Sequence, residues 1–469
     1  MSNAVCDRDA VTVPAPLVAA VAQPGTGQIA IVLGAGCSMD APTNLASASD
    51  YAKRAYRDLV EQRIIVDGCC DREDLGALAD AVFAITGSQE ALVDILRRQL
   101  ANASPNDGHK IAASLLAEGI VGLILTLNFD RALDTAISDI ATEAYVAIIH
   151  GVEDLRARTR QGLVYLHGNV ESPDSRWILR TAQIDANWED TWQEYILTDF
   201  ALTPNVIFAG LGSPTPVISE TVLKVRGVLV PPRNVFQVDA LDRGDNRLAD
   251  ALEIPLGDYI RSCWTGFMGA LGGSASRGFL NAISDRHPTF CEENRLHRED
   301  ITLVMESLPM DILILGKLRA AWFMSKAEYK TFINTMLDHL VDIVRALAIA
   351  LRIVQANECV VVEDGMEFRK DGKPLFRVFS CSGAGSMFWA RAEAEIRSRL
   401  RKFRRIDKTT PVVYLTTAVL DMDKPTSVPE SIVPKPEQKE VTASPPDFAC
   451  FSPSALLAGP DALRQMVRS

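Results

Sequence analysis

The sequence predicts an α/β fold: a doubly wound parallel sheet, then a helical region, then a small α/β module at the C-terminus. Three observations predict it. Continuous apolar runs recur at Ile29–Leu33, Gly119–Leu127, Leu163–Leu166, Asn205–Gly210 and Asn234–Val238, and unbroken apolarity is what a strand buried on both faces requires. Helix-patterned stretches separate most of these runs. Gly34, Asn128, His167 and Gly210 stand at the ends of four of them, the end of an open parallel sheet at which ligands bind.

The bulk numbers bound the reading. At 469 residues the chain is too long for one ordinary domain. Its net charge of −12 argues against broad electrostatic affinity for nucleic acid or anionic membranes. No two of the nine cysteines stand in C-x-x-C spacing, so neither a zinc ribbon nor a thioredoxin motif is expected. The odd count, with no secretory leader and no apolar run of about 18 residues, predicts reduced thiols, a cytoplasmic location and no membrane span.

Taken in order, residues 1–26 end in Gln23-Pro24-Gly25-Thr26-Gly27 and read as a flexible arm; residues 27–268 then form the first domain. The strand Ile29–Leu33 runs into Gly34-Ala35-Gly36-Cys37-Ser38. Such a turn lets backbone N–H groups approach a phosphate; taken alone it is equally a tight structural turn. Residues 45–66 are helical, with Tyr51, Ala55, Leu59 and Ile64 on one face. Residues 73–102 continue likewise through Leu75, Leu78, Val82, Leu92, Leu96 and Leu100, covering a sheet face or forming a helical insert. After the second strand comes Thr126-Leu127-Asn128-Phe129-Asp130. Asn128 there is either a functional amide or the cap of a helix starting near Arg131. The third strand ends at His167-Gly168; His150-Gly151 is a second such pair, and a lone histidine in that setting is often structural. A helix follows over Ala186–Leu202. The fourth strand leads into Gly210-Leu211-Gly212-Ser213 and the fifth into Asp239.

Near residue 270 the character changes. Gly269–Ser274 reads as a linker, and residues 276–356 as a helical assembly region with an apolar stretch over Phe332–Leu351. The module 357–469 opens with an αβββαβ pattern. Cys359–Val362, Met366–Phe368 and Leu375–Phe379 are joined by the Asp-Gly turns at Asp364-Gly365 and Asp371-Gly372. A helix over Phe388–Phe403 and the strand Pro411–Leu415 follow. Residues 422–447, with six prolines, are expected to be disordered. A short helix, Asp461–Val467, comes last.

The glycine turn, the T-x-N-x-D stretch and the His-Gly pair, in that order over about residues 27–268, resemble the sirtuin-like fold, in its bacterial NADase branch. The resemblance implies a Rossmann-like sheet that binds NAD as substrate. It assigns Gly34, Ala35, Gly36 and Ser38 to the dinucleotide and Asn128 to the reacting ribose or a water. His167 becomes the general base, with Thr126 and Asp130 beside them. Gly210, Gly212 and Ser213 resemble the later glycine-serine turn near the ribose and phosphates, and Asp239 stands where the adenosine ribose is contacted. The chemistry suits these residue types. Cleaving nicotinamide from ribose passes through a cationic sugar, which an amide dipole holds, while a histidine accepts a proton near neutral pH.

Two departures qualify the resemblance. Ser38-Met39-Asp40-Ala41-Pro42 is shorter than the usual turn exit and lacks its glycine. The four zinc cysteines of the deacetylases are absent, so no metal is expected and NAD hydrolysis or cyclisation is favoured over deacylation. The resemblance further implies an effector of a bacterial anti-phage defence system, held in check by homo-oligomerisation or by a partner such as a HerA-type ATPase or an Argonaute-like protein. The alternative is a non-catalytic sensor of NAD or an ADP-ribose derivative.

The C-terminal module resembles a restriction-endonuclease-like core of the Mrr kind. Asp364 stands near that family's strand aspartate, but Arg377-Val378-Phe379 replaces its Glu-x-Lys, and neither arginine nor phenylalanine binds Mg²⁺. An inactive nuclease-like module is therefore expected. The basic run 397–408 (Arg397, Arg399, Arg401, Lys402, Arg404, Arg405 and Lys408) is either a solvated helix face or a contact for nucleic acid or an acidic protein.

Overall fold

The computed structural model describes residues 11–140, 146–157, 161–184, 191–213, 216–228, 233–285, 298–308, 310–316, 336–362, 365–380, 386–388, 397–398, 400–401, 403, 410–415, 419–421, 449–451, 456 and 459–468. The chain divides into two compact units, Met1–Ala275 and Ser276–Ser469.

The first unit opens with α1 (Ala15–Val21), which buries Leu17, Ala20 and Val21. Gly25 and Gly27 then donate backbone hydrogen bonds to Glu118 and Gly119. Over residues 15–27 the expected flexible arm is therefore packed, because its apolar side chains find a core. β1 (Ile29–Leu33) follows, buried at every residue. Next come α2 (Ala48–Glu61), α3 (Leu75–Thr86), α4 (Glu90–Leu100) and α5 (Asp107–Ala117). Their starts carry the caps that helix N-termini need: Ser47 accepts from the Asp50 N–H, and Asp74 from those of Gly76 and Ala77. The continuous helical pattern over 73–102 is broken at Gly87, whose φ of 73° ends α3 in the left-handed region.

The elements that follow are β2 (Val121–Thr126), α6 (Ala132–Ile140), β3 (Val146–Ile149), β4 (Gln161–Tyr165), α7 (Thr181–Ile184), α8 (Trp192–Leu202), β5 (Asn205–Ala209), α9 (Pro216–Val228), β6 (Asn234–Asp239), α10 (Arg247–Ala251), β7 (Tyr259–Arg261) and α11 (Trp264–Asp285), which runs past the boundary at Ala275. The seven strands form one sheet in the order β3-β4-β2-β1-β5-β6-β7, and every neighbouring pair is parallel. The chain leaves β1 toward β2, β4 and β3, then returns to β5 on the other side. That reversal opens a crevice beyond the carboxyl ends of β1 and β5. Sequence periodicity does not single out β3 and β7, edge strands of four and three residues.

Two apolar clusters stand out among the described residues of this unit. One lies on the sheet, where Val32, Leu125, Val164 and Phe208 meet Phe200 of α8, Val222 of α9 and Leu248 of α10. The other belongs to α2–α4, where Leu59, Leu78, Val82, Leu92 and Leu96 pack with Trp177 and Leu179. Residues 45–102 thus form a helical layer with its own core. Gly269–Ser274, expected as a linker, lies inside α11, where buried Phe267, Met268, Leu271 and Ala275 outweigh the helix-weakening glycines.

The second unit contains α12 (Arg298–Ser307), α13 (Met336–Val354), β8 (Glu358–Val362), β9 (Gly365–Lys370), β10 (Lys373–Ser380), β11 (Ser386–Phe388), β12 (Val412–Leu415), β13 (Val419–Asp421), β14 (Ala449–Phe451) and α14 (Pro460–Arg468). Five strands pair in the order β14-β12-β10-β9-β8, with β8–β9–β10 antiparallel and β10–β12–β14 parallel. β11 and β13 pair separately. The β9–β10 turn has positive φ at both Asp371 and Gly372, as a two-residue hairpin requires. Glu367 on β9 is buried between Arg369 and Arg377, 2.7 and 2.9 Å away. Asp364, residues 422–447, and Arg399, Lys402, Arg404, Arg405 and Lys408 of the basic run lie outside the described residues. No described helix is long and apolar enough to cross a membrane.

Candidate active site

The site begins where β1 ends. The Gly34 N–H donates to the Ala209 carbonyl at 2.9 Å, and the Gly36 N–H to that of Gly210 at 3.0 Å. A Cβ on Gly34 would lie 2.3 Å from Leu211 Cδ2, and one on Gly36 would lie 2.7 Å from Gly210 Cα. Gly210 itself, at φ +65°, would place a Cβ 2.5 Å from the Cys37 nitrogen. The two glycine turns therefore pack backbone against backbone, and this contact alone requires glycine at 34, 36 and 210.

The chain then makes a short 3₁₀ turn over Ala35–Ser38, with Ser38 buried. Ser38 Oγ donates to Asp130 Oδ2 at 2.8 Å. Asn128 Nδ2 donates to the Gly34 carbonyl at 3.0 Å and reaches Ser38 Oγ at 3.3 Å. The Asn128 backbone N–H donates to Thr126 Oγ1 at 3.1 Å. Asp130 Oδ1 accepts from the Ala132 N–H at 2.9 Å, so Asp130 holds the start of α6 and leaves the Asn128 side chain to the site. Burial raises the Asp130 carboxyl above its ordinary range; hydrogen bonds from the Ala132 N–H and the Ser38 hydroxyl oppose the shift.

These groups line a cavity of about 220 Å³. Its polar side is Ser38, Asn128 and Asp130 beside the Gly34–Ala35 backbone, and its apolar side includes Leu45, Tyr51, Leu75, Leu96, Leu100, Phe129 and Leu211. The helical layer α2–α4 supplies much of that apolar wall. Sequence reading missed this role, although Leu96 and Leu100 stand at helical i, i+4 spacing.

His167 follows β4. Its side chain is buried at 8% exposure, and burial lowers its pKa to about 4, which keeps the imidazole neutral near pH 7. His167 is not in the cavity lining; Phe129 is, and the two ring centroids lie 6.3 Å apart. Phe129 stacks on Trp177 at 4.5 Å. Gly168 has φ +82°, and a Cβ there would meet the Arg176 carbonyl at 2.7 Å. Arg97 of α4 clasps the loop that follows. It donates to the Val170 carbonyl at 2.9 Å and the Ser172 carbonyl at 3.0 Å, and pairs with Asp174 at 2.7 Å. His150 of the other His-Gly pair stacks on Tyr165 at 5.1 Å, with its Nδ1 3.1 Å from Asn169 Nδ2.

The remaining expected residues form a second polar group at the ends of β5 and β6, outside the cavity lining. Asp239 Oδ1 accepts from the Leu241 N–H at 2.9 Å and its Oδ2 from Asn246 Nδ2 at 3.1 Å. The Gly212 carbonyl accepts from the Arg247 N–H at 3.0 Å. Gly212 and Ser213 lie just beyond Gly210 on the same turn. Burial raises the Asp239 carboxyl, against the hydrogen bonds it receives.

Residues 122–247 match a family model described as a SIR2-like domain. The matched SIR2-like stretch contains Thr126, Asn128, Asp130, His167, Gly210, Gly212, Ser213 and Asp239; the Gly34–Ser38 turn lies before it. Among solved structures, the chain is similar to a Sir2 homologue triple mutant complexed with 2′-O-acetyl ADP ribose, at 16% identity and a TM-score of 0.34, over 55% of this chain and 95% of that one. It is similar also to a Sir2 homologue–NAD complex, at 14% identity and a TM-score of 0.34, over 56% of this chain and 93% of that one. No curated protein matches the sequence.

Proposed function

We propose that the first unit binds NAD as substrate and hydrolyses it to nicotinamide and ADP-ribose, or to a cyclic product. The observation that carries this reading is the Gly34–Asn128–Ser38–Asp130 hydrogen-bond network, which gathers amide, hydroxyl and carboxyl groups in the lining of one cavity at the switch point of the sheet. The SIR2-like match over 122–247 supports it.

In this reading Asn128, fixed by the Gly34 carbonyl, orients the nicotinamide ribose or an attacking water. Asp130 and Ser38 hold that amide in place. His167, kept neutral by burial, accepts the proton released by a ribose hydroxyl or by water. Gly212, Ser213 and Asp239 take the phosphates and the adenosine ribose beyond β5 and β6. The enzyme acts as an NAD-depleting effector of bacterial anti-phage defence, in the cytoplasm. It is restrained by self-assembly or by a partner such as a HerA-type ATPase or an Argonaute-like protein. The second unit serves recognition rather than nuclease chemistry, since Arg377-Val378-Phe379 stands where a nuclease of the Mrr kind carries its Glu-x-Lys.

One observation favours the runner-up, a sensor that binds NAD or a derivative without turnover: His167 is buried and absent from the cavity lining. The discriminating experiment incubates the full chain with NAD, alone, with the product of a neighbouring gene, and with an acyl-peptide, and follows free nicotinamide. Release without acyl-peptide supports hydrolysis. Tight NAD binding with no release under any condition supports the sensor. Release that depends on acyl-peptide supports a deacylase and overturns the proposal.

A further inference from the structure

The loop between α2 and α3 brings two thiols together. Cys69 is exposed, Cys70 is half-buried, and their sulfur atoms lie 3.7 Å apart. Cys70 packs against the apolar cluster of α2–α4, which also takes in Leu75 and Phe129 of the cavity wall. The loop is held on both sides of the pair. Before it, Tyr56 Oη donates to Asp67 Oδ1 at 2.9 Å and accepts from the Gly68 N–H. After it, the Glu73 N–H donates to Asp71 Oδ1 at 2.9 Å, and Lys53 pairs with Glu73 at 3.1 Å. Nothing in the proposed NAD chemistry uses either cysteine.

We propose that Cys69 and Cys70 form a hydroperoxide-reactive dithiol site that closes to a reversible disulfide between adjacent residues. The Cys69 thiolate attacks one peroxide oxygen; the O–O bond breaks, leaving a sulfenic acid on Cys69 and, after protonation, one water. The Cys70 sulfur then attacks the Cys69 sulfur; the S–O bond breaks and the hydroxyl leaves as a second water with the proton from Cys70. Two thiols thus lose two electrons and two protons, and hydrogen peroxide becomes two waters.

Exposure assigns the first attack to Cys69. Burial, the hydrogen bond with Cys69, and the charges of Cys69, Asp71 and Asp74 push the Cys70 thiol up to about 12, so it stays protonated and carries its proton into the second step. Adjacent Cα atoms stand about 3.8 Å apart, short of the roughly 4.4–6.8 Å usual across a disulfide, so the closed bond is strained and easily reduced. Closure rotates Cys70 within its packing, five residues before Leu75, which opens α3 and lines the cavity.

The test uses the reduced full chain, hydrogen peroxide, alkylation of remaining thiols and peptide mapping, and its readout does not depend on NAD turnover. The expected result is a peptide spanning 69–70 that has lost two hydrogens, resists alkylation and regains both thiols with a reductant. Cys70→Ser is expected to accumulate a sulfenic acid on Cys69 that dimedone traps; Cys69→Ser is expected to form neither product. Thiols at 69 and 70 that survive peroxide, direct conversion of both to sulfinic acid, or disulfides from either residue to another cysteine or another chain would each overturn the proposal.

Discussion

The side-chain amide of Asn128 donates to the carbonyl oxygen of Gly34 at 3.0 Å, joining the end of β2 to the end of β1 in the lining of the cavity. That bond fixes which way the amide faces, so its removal is expected to act on catalysis before stability. Asn128→Ala is expected to lower the rate of nicotinamide release by about 10²–10³-fold, the range for losing one oriented polar group in an active site. Thermal unfolding of the same variant should shift by only a few degrees. A variant that keeps its rate would sink the assigned role.

Ser38 donates to Asp130 Oδ2 at 2.8 Å and sits 3.3 Å from the Asn128 amide. Ser38→Ala removes a donor to a buried carboxylate, which costs about 1–3 kcal/mol. Denaturant unfolding should show that loss, and nicotinamide release should fall with it. Asp130→Asn in the Ser38→Ala background should then cost less than Asp130→Asn alone, since neighbours in one network are not additive.

Gly210 combines φ +65° with a virtual Cβ 2.5 Å from the Cys37 nitrogen. Gly210→Ala is expected to destabilise the chain by about 2 kcal/mol or more, through left-handed backbone strain and a clash with a neighbouring turn. Gly212, whose Cβ would meet nothing nearer than 3.8 Å, is the control and should tolerate alanine. Equal melting temperatures for the two variants would contradict the packing of the two turns.

These contrasts show what was legible in the sequence. The buried strands β1, β2, β4, β5 and β6 announced themselves as continuous apolar runs, and the polar residues at their ends stood out against that background. What stayed hidden was non-local. Gly34, Gly36 and Gly210 read as ligand-binding glycines, and only the fold shows that they first serve each other. The apolar wall from Leu45, Leu75 and Leu96 was unreadable because helical spacing says which residues face a core, not which core. α1 was missed as packed structure because seven residues after a proline carry too little pattern.

Arg97 is expected to act on the His167 loop without touching the cavity. It holds the carbonyls of Val170 and Ser172 and the carboxylate of Asp174. Arg97→Lys supplies the charge without the planar fork and should restore little of what Arg97→Ala loses. The readout is hydrogen exchange in residues 168–177, expected to rise in both variants. Unchanged exchange would remove this role.

Two buried histidines contribute to the loss of stability in acid. Burial lowers His109 and His167 to about 4, below the ordinary value of 6.5. Between these values the unfolded chain binds protons that the folded chain refuses, so stability is full above about pH 6.5 and falls as pH drops toward 4. Each histidine contributes on the order of 3 kcal/mol to that fall. His109→Gln should flatten the lower limb in a denaturant titration; an unchanged slope would argue against neutral burial.

Nicotinamide release by the full chain at neutral pH, compared side by side with Asn128→Ala and His167→Ala, tests the central claim most directly. Release by the unaltered chain, lost in both variants while both remain folded and bind NAD, is the result expected. Release that persists in the variants, or NAD left intact by the unaltered chain with and without its genomic neighbour, contradicts it.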